Sequence, residues 1–184
     1  MQTYFILFSL LACFAAIFDF LFYKIPNIFC GLIAILFLFG SSIFYPVEKI
    51  LHAFLLSGGT LGICFVLYLM RILGAGDAKF LTVSSLWAVD TNFLYFMLVT
   101  SACGGLLGLL YIMCSDKIDI IRIKLNLFLT KFFENSLMSA FYKRYGELPF
   151  KNSRSQNSGK LFLPYGVAIC GGCIMITYMN IWGS

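Results

Sequence analysis

Charged residues are scarce in this sequence: they make up 11% of its 184 residues, whereas hydrophobic residues make up 61%. Soluble domains carry about 25% charged and about 45–50% apolar residues, so the composition excludes a large separate soluble domain. The period-2 alternation of a membrane β-barrel is also lacking, and the apolar runs are continuous. Because only helices and closed barrels satisfy the backbone in lipid, we expect an all-α polytopic membrane protein.

Histidine occurs once, at His52, and its spacing suggests no Ser or Cys partner for nucleophilic catalysis. Paired Cys-x-x-Cys motifs with zinc spacing are lacking from the polar loops. The lone motif Cys170–Cys173 lies within an apolar run, where small residues at a helix contact are a more ordinary explanation than a redox site. We therefore expect neither a metal site nor a cofactor.

Six apolar segments, separated by polar breaks, predict six transmembrane helices, since about 20 apolar residues cross a bilayer. The N-terminus lacks a basic region and a small-residue cleavage site, so the first segment is interpreted as a retained span. The predicted spans are about 4–22, 28–45, 50–73, 77–89, 93–114 and 161–182, in a single membrane domain of residues 1–184. The fourth is short, and it crosses only if its helix begins near Asp77.

The basic residues decide whether the fourth segment crosses. Nine of the thirteen Lys and Arg residues fall in the loop of residues 115–160. With six crossings, all thirteen except Lys49 lie on one side, which the positive-inside rule makes the cytoplasmic side. This distribution explains the formal net charge of +5 without a nucleic-acid partner.

The same loop contains a second pattern. Apolar residues at mixed three and four spacing over residues 118–145, with basic residues between them, predict an amphipathic helix on the anionic inner leaflet. A solvated charged connector is the alternative. Residues 151–159 are polar and are interpreted as a flexible linker.

Two glycine pairs have the small-xxx-small spacing that permits close packing between helices in a membrane. One pair is Gly58 and Gly62 in the third predicted span, and the other is Gly104 and Gly108 in the fifth.

Among the eight acidic residues, only Asp19 and Asp77 lie within or beside predicted spans at the same cytoplasmic face. Two adjacent carboxylates do not both ionise easily, so together they can activate a water and protonate a leaving group. Gly74 and Gly76 provide a backbone that turns sharply and that another chain can approach. The alternative is that each aspartate caps a helix or pairs with Lys24 or Lys79.

Three segments resemble a known family, in the expected order and spacing. Residues Gly74–Lys79 resemble the GxGD motif of intramembrane aspartic peptidases, in particular the type IV prepilin leader peptidases. Asp19, followed by Lys24–Asn27, resembles the first catalytic aspartate of that family and its downstream Ile-Pro-Asn. Residues Leu163–Ile169 resemble its Pro-Tyr-Gly segment.

The resemblance implies a bacterial inner-membrane endopeptidase that cleaves the basic leader from prepilins or pseudopilins at the cytoplasmic face. Its partners would be that membrane-inserted substrate and the lipid bilayer. No cysteine-tetrad domain is present, so the chain resembles the compact form of Flp/Tad-type pili rather than the bifunctional methylating enzymes. The resemblance makes Asp19 and Asp77 the catalytic residues. It also implies substrate or loop positioning by Gly74, Gly76, Lys79, Pro26, Asn27, Pro164 and Tyr165.

Two other functions stay open. A GxGD peptidase for other membrane substrates, such as signal-peptide remnants, is disfavoured because that family has Tyr before its first aspartate, and Phe18 stands there in this chain. A non-enzymatic transporter or a pilus or secretion assembly scaffold is the alternative from a different class. In that case the aspartates would cap helices or relay protons.

Overall fold

The computed structural model of the protein describes residues 2–89, 92–133 and 163–182, and this part of the chain is helical apart from short connections. The helices are α1 (Gln2–Phe22), α2 (Asn27–Phe44), α3 (Val47–Leu69), α4 (Ala75–Ser85), α5 (Asn92–Phe133) and α6 (Tyr165–Trp182). The predicted all-α class is confirmed for these residues.

Five of these helices are long and apolar enough to cross a membrane: α1, α2, α3, the first part of α5 over Phe93–Cys114, and α6. The predicted fourth span is not among them, so the count of six crossings is not confirmed. Helix α4 has 11 residues, which gives a length of about 16 Å and is too short for a crossing by itself.

Helix α4 is largely enclosed by other helices. It packs against α2, α3 and α6. Phe80, Ser84 and Ser85 on α4 are buried, and so are the residues of the turn that follows, from Leu86 to Val89. Ser57 of α3 donates a hydrogen bond of 2.8 Å to the Thr82 carbonyl, and this bond joins α3 to the middle of α4.

Aromatic rings from α1 and α2 pack around Trp87. The Trp87 ring stacks on Phe8 with centroids 4.6 Å apart, and it meets Phe5 and Phe37 edge-on at 5.4 and 5.8 Å. The Trp87 indole N–H donates to the Ile33 carbonyl at 3.4 Å. Phe5 and Phe8 lie at the start of α1 and Trp87 lies after the end of α4. The two helices are therefore antiparallel, and the end of α1 lies near the start of α4.

Helices α5 and α6 make close contacts at two glycines. A β-carbon added at Gly172 would meet Phe96 at 2.8 Å, and one added at Gly104 would meet the Tyr165 ring at 2.6 Å. The close packing that this spacing permits occurs at Gly104, whereas an added β-carbon at Gly108, Gly58 or Gly62 would meet nothing within 4 Å in the described part of the chain. The glycines of α3 face outward because α3 buries its opposite side, through Ala53, Ser57, Thr60 and Cys64.

Helix α5 bends at Cys114, whose backbone has φ −133° and ψ 27°. Beyond this bend the chain stays helical to Phe133, so residues 118–133 of the predicted amphipathic helix continue α5. The remainder of that prediction, residues 134–145, lies outside the described residues, as does the predicted linker over residues 151–159. We refer to residues 115–133 as the α5 extension.

Candidate active site

Asp19 lies in the last turn of α1 and is almost completely buried, with 4% of its surface exposed. The backbone N–H of Gly166 donates a hydrogen bond of 2.7 Å to Asp19 Oδ2. Gly166 is in the first turn of α6, where N–H groups have no partner within the helix and where the helix dipole favours a negative group. The start of α6 therefore fixes the position of the Asp19 carboxyl group.

Asp77 lies in the first turn of α4, three residues after the N-cap residue Gly74. Its side chain lies against the backbone of Gly74, in the position that the acidic residue of a capping box takes. A β-carbon added at Gly74 would lie 2.8 Å from Asp77 Oδ2. Because residue 74 is a glycine, the Asp77 carboxyl group has room to lie against the first turn of its own helix.

Asp19, in the last turn of α1, and Asp77, in the first turn of α4, lie in the same region of the structure. The carboxyl group of Asp77 is close enough for its charge to act on Asp19. Tyr165 lies near Asp77, and its neighbour Gly166 binds Asp19, so the first turn of α6 reaches both carboxyl groups. Within the described residues, neither aspartate forms an ion pair with Lys24 or Lys79. Of the alternative explanations, helix capping therefore applies to Asp77, and pairing with lysine applies to neither.

The turn between α1 and α2 packs on the first turn of α4. Pro26 is fully buried in this turn, and Lys79 Nζ donates to Asn27 Oδ1 at 3.4 Å. A β-carbon added at Gly76 would lie 3.7 Å from Ile25 Cβ, which is an ordinary contact distance. Four of the residues expected to position the loop, Pro26, Asn27, Gly76 and Lys79, thus join α4 to the α1–α2 turn.

Pro164 and Tyr165 lie at the start of α6. Pro164 is fully buried, and the Tyr165 ring packs against Gly104 of α5. Sequence analysis did not select Gly104 or Gly166 as site residues. The signals for them were present, because Gly166 completes the Pro-Tyr-Gly segment and Gly104 belongs to a small-residue pair.

The chemistry available here is that of two carboxyl groups, one buried on Asp19 and one partly exposed on Asp77. Two such groups share protons as a unit, so one can accept a proton while the other donates one. Among the described residues, no group of three or more His, Cys, Asp or Glu side chains is arranged to hold a metal ion.

A family model described as the type IV leader peptidase family matches residues 5–109, which is more than half of the chain and includes Asp19 and Asp77. Neither a comparison with curated proteins nor one with solved structures gave a match.

Proposed function

Because the chain belongs to the type IV leader peptidase family, we propose that it is a membrane aspartic endopeptidase that removes the basic leader from prepilins or pseudopilins. The observation that carries this proposal is the proximity of Asp19 and Asp77. The family match supports peptidase activity, and the aspartate pair supplies a means of hydrolysing a peptide bond.

In the proposed reaction, the ionised aspartate takes a proton from a water molecule, which attacks the carbonyl carbon of the scissile bond. The protonated aspartate first stabilises the carbonyl oxygen, and a proton then passes to the leaving amine as the C–N bond breaks. The hydrogen bond from Gly166 to Asp19 holds one carboxyl group in place throughout, and no covalent intermediate is required.

The distribution of basic residues supports a cytoplasmic location for the site, in the inner membrane of a bacterium. The end of α1 and the starts of α4 and α6 would then lie at the cytoplasmic boundary, where the leader of a prepilin meets its apolar helix. The aromatic cluster around Trp87 packs against the start of α1, at the opposite end of that helix from Asp19. A substrate helix would thus reach the aspartates from the side of the membrane that holds its basic leader.

Reconstitution in lipid vesicles tests this function. The purified protein is incubated with a prepilin-like substrate that has a basic leader and an apolar helix, and with a matched substrate without the leader. We expect one cut, at the junction of leader and helix, located by mass spectrometry. Absence of cleavage across several leaders, by a protein that is folded and inserted, would contradict the peptidase proposal.

We expect Gly74→Ala to lower the cleavage rate by about tenfold or more, because displacing a reacting group by a fraction of an ångström is costly. The added β-carbon would lie 2.8 Å from Asp77 Oδ2 and would push this carboxyl group aside. Gly31→Ala on α2 is the matched control, since a β-carbon there meets nothing within 4 Å. Equal rates for the two variants would show that Asp77 need not occupy the position seen here.

A non-enzymatic scaffold or transporter remains the alternative, and one observation favours it: Asp19 accepts a hydrogen bond that joins the end of α1 to the start of α6. A purely structural role predicts that the wild type does not cleave and that Asp19→Ala, which removes the acceptor, lowers thermal stability. A catalytic role predicts that amide substitutions stop cleavage in a protein that still folds.

A further inference from the structure

The α5 extension is attached to the end of α1 through a buried cation. Arg122 has only 1% of its surface exposed, although it lies beyond the last apolar residue of the candidate span. Its guanidinium carbon lies 4.4 Å from the centroid of the Tyr23 ring, and its Nη1 lies 3.6 Å from Asp119 Oδ1. An arginine on a membrane-surface helix would extend to the lipid headgroups. Arg122 instead points into the protein, onto Tyr23.

Tyr23 is the residue that ends α1, and its backbone is unusual. Its φ of 50° lies in the left-handed region, which glycine normally occupies at a helix C-terminus. Its N–H donates to the carbonyl of Asp19 at 2.8 Å, which is the hydrogen bond of a left-handed helix cap. A bulky residue keeps this strained conformation only where its surroundings hold it. Tyr23 therefore links the cap of α1 directly to Asp19.

Two contacts hold the Tyr23 side chain. Arg122 covers the face of its ring, an arrangement that a cation favours. The phenol lies next to that of Tyr111, which is 1% exposed. Burial raises the pKa of Tyr23, and the Arg122 charge opposes this effect only in part, so Tyr23 stays a neutral phenol at physiological pH.

We propose that Arg122 is a positioning residue for the candidate site: by clamping the Tyr23 ring, it holds the end of α1 and thereby the position of Asp19. The catalytic part of this inference rests on the proposed peptidase function. Arg122, Asp119 and Tyr111 all lie beyond residues 5–109. The α5 extension therefore lies outside the residues that match the family model. Through Arg122 it positions Asp19, which lies inside them.

Steady-state cleavage of the prepilin-like substrate by Arg122→Met tests the clamp. We expect kcat to fall by about tenfold or more with little change in KM, because Asp19 shifts while surfaces that bind substrate elsewhere are unaltered. Arg122→Lys keeps a cation over the ring, and we expect it to recover most of the lost kcat. Lys124→Met removes an exposed cation from the same extension and should behave as wild type.

Hydrogen exchange followed by mass spectrometry gives a readout that does not depend on cleavage. In Arg122→Met, the amides of residues 20–23 should exchange at least several times faster than in wild type, since the left-handed cap is no longer held. Tyr23→Leu, which leaves Arg122 intact, should produce the same change. In the double variant, residues 20–23 should exchange no faster than in the more affected single variant, because both changes remove the same interaction.

The outcomes separate the two proposals. If the wild type does not cleave, the peptidase function fails, and exchange at residues 20–23 still shows whether Arg122 holds the end of α1. If the wild type cleaves and Arg122→Met matches it in kcat, the positioning role is overturned. It is equally overturned if Arg122→Lys is as impaired as Arg122→Met while exchange at residues 20–23 is unchanged. If Arg122→Met does not fold, the kcat of Tyr23→Leu and its exchange at residues 20–23 test the proposal by the same criteria.

Discussion

Replacing either Asp19 or Asp77 by asparagine is expected to lower the rate of leader cleavage by at least about 1,000-fold, as the loss of a member of a catalytic unit does. An amide neither accepts the proton of water nor donates one to the leaving amine at the required moment. Each variant is assayed in lipid vesicles with the prepilin-like substrate. Glu48→Gln provides the control, because Glu48 is an exposed carboxylate in the first turn of α3.

The folds of these variants should survive. In Asp19→Asn the amide oxygen can still accept the Gly166 N–H, and in Asp77→Asn the amide can still lie against the Gly74 backbone. Thermal unfolding in detergent should therefore give midpoints near that of the wild type. Substantial cleavage by both variants would refute a catalytic pair, and loss of folded protein in both would favour the structural role.

Gly166→Ala is expected to reduce cleavage by about 100-fold, although it leaves both aspartates in the chain. The added β-carbon would lie 2.8 Å from Asp19 Oδ2, 3.0 Å from its Cβ and 3.1 Å from its Cγ. Three contacts this short require the whole Asp19 side chain to move, and a displacement of about 1 Å in a catalytic group costs about that factor. Relative rates of leader release measure the effect.

The matched control for Gly166→Ala is Gly105→Ala, where an added β-carbon meets nothing within 4 Å. Its rate should equal that of the wild type. A wild-type rate for Gly166→Ala, in a protein whose exchange pattern around Asp19 is also unchanged, would mean that the Gly166–Asp19 contact does not position the reacting group.

Composition predicted the class of fold because lipid leaves the backbone few choices. With 61% hydrophobic residues in continuous runs, helices are the structure that satisfies every peptide group. The family could also be predicted, since its three segments carry residues whose roles depend on local spacing, and the match over residues 5–109 confirms it.

The enclosure of α4 by other helices could not be predicted, because an apolar run has the same hydropathy whether lipid or protein surrounds it. Residues Phe80 to Val89 are as apolar as a membrane span, yet other helices enclose them. The exposed faces of Gly58 and Gly62 show the same limit, since spacing allows a close contact without selecting the partner.

The long-range contacts around the candidate site could not be predicted from local sequence patterns either. Gly166 binds Asp19 across 147 positions of sequence, and the Arg122 cation meets a ring 99 positions earlier in the chain, at Tyr23. By its spacing, Arg122 is one of the basic residues of the predicted membrane-surface helix. No local pattern indicates that α1 ends at a tyrosine with a left-handed backbone, or that the Arg122 side chain packs on this tyrosine.

The central claim is that Asp19 and Asp77 act as one unit, and comparison of the two single variants with the double variant tests it most directly. Single-turnover rates of leader release are measured for Asp19→Asn, Asp77→Asn and the protein with both changes. Residues that act as a unit are strongly non-additive, so we expect all three rates to agree within about threefold. A double variant slower by the product of the two single effects would contradict the account, as would either single variant that cleaves at a rate close to wild type.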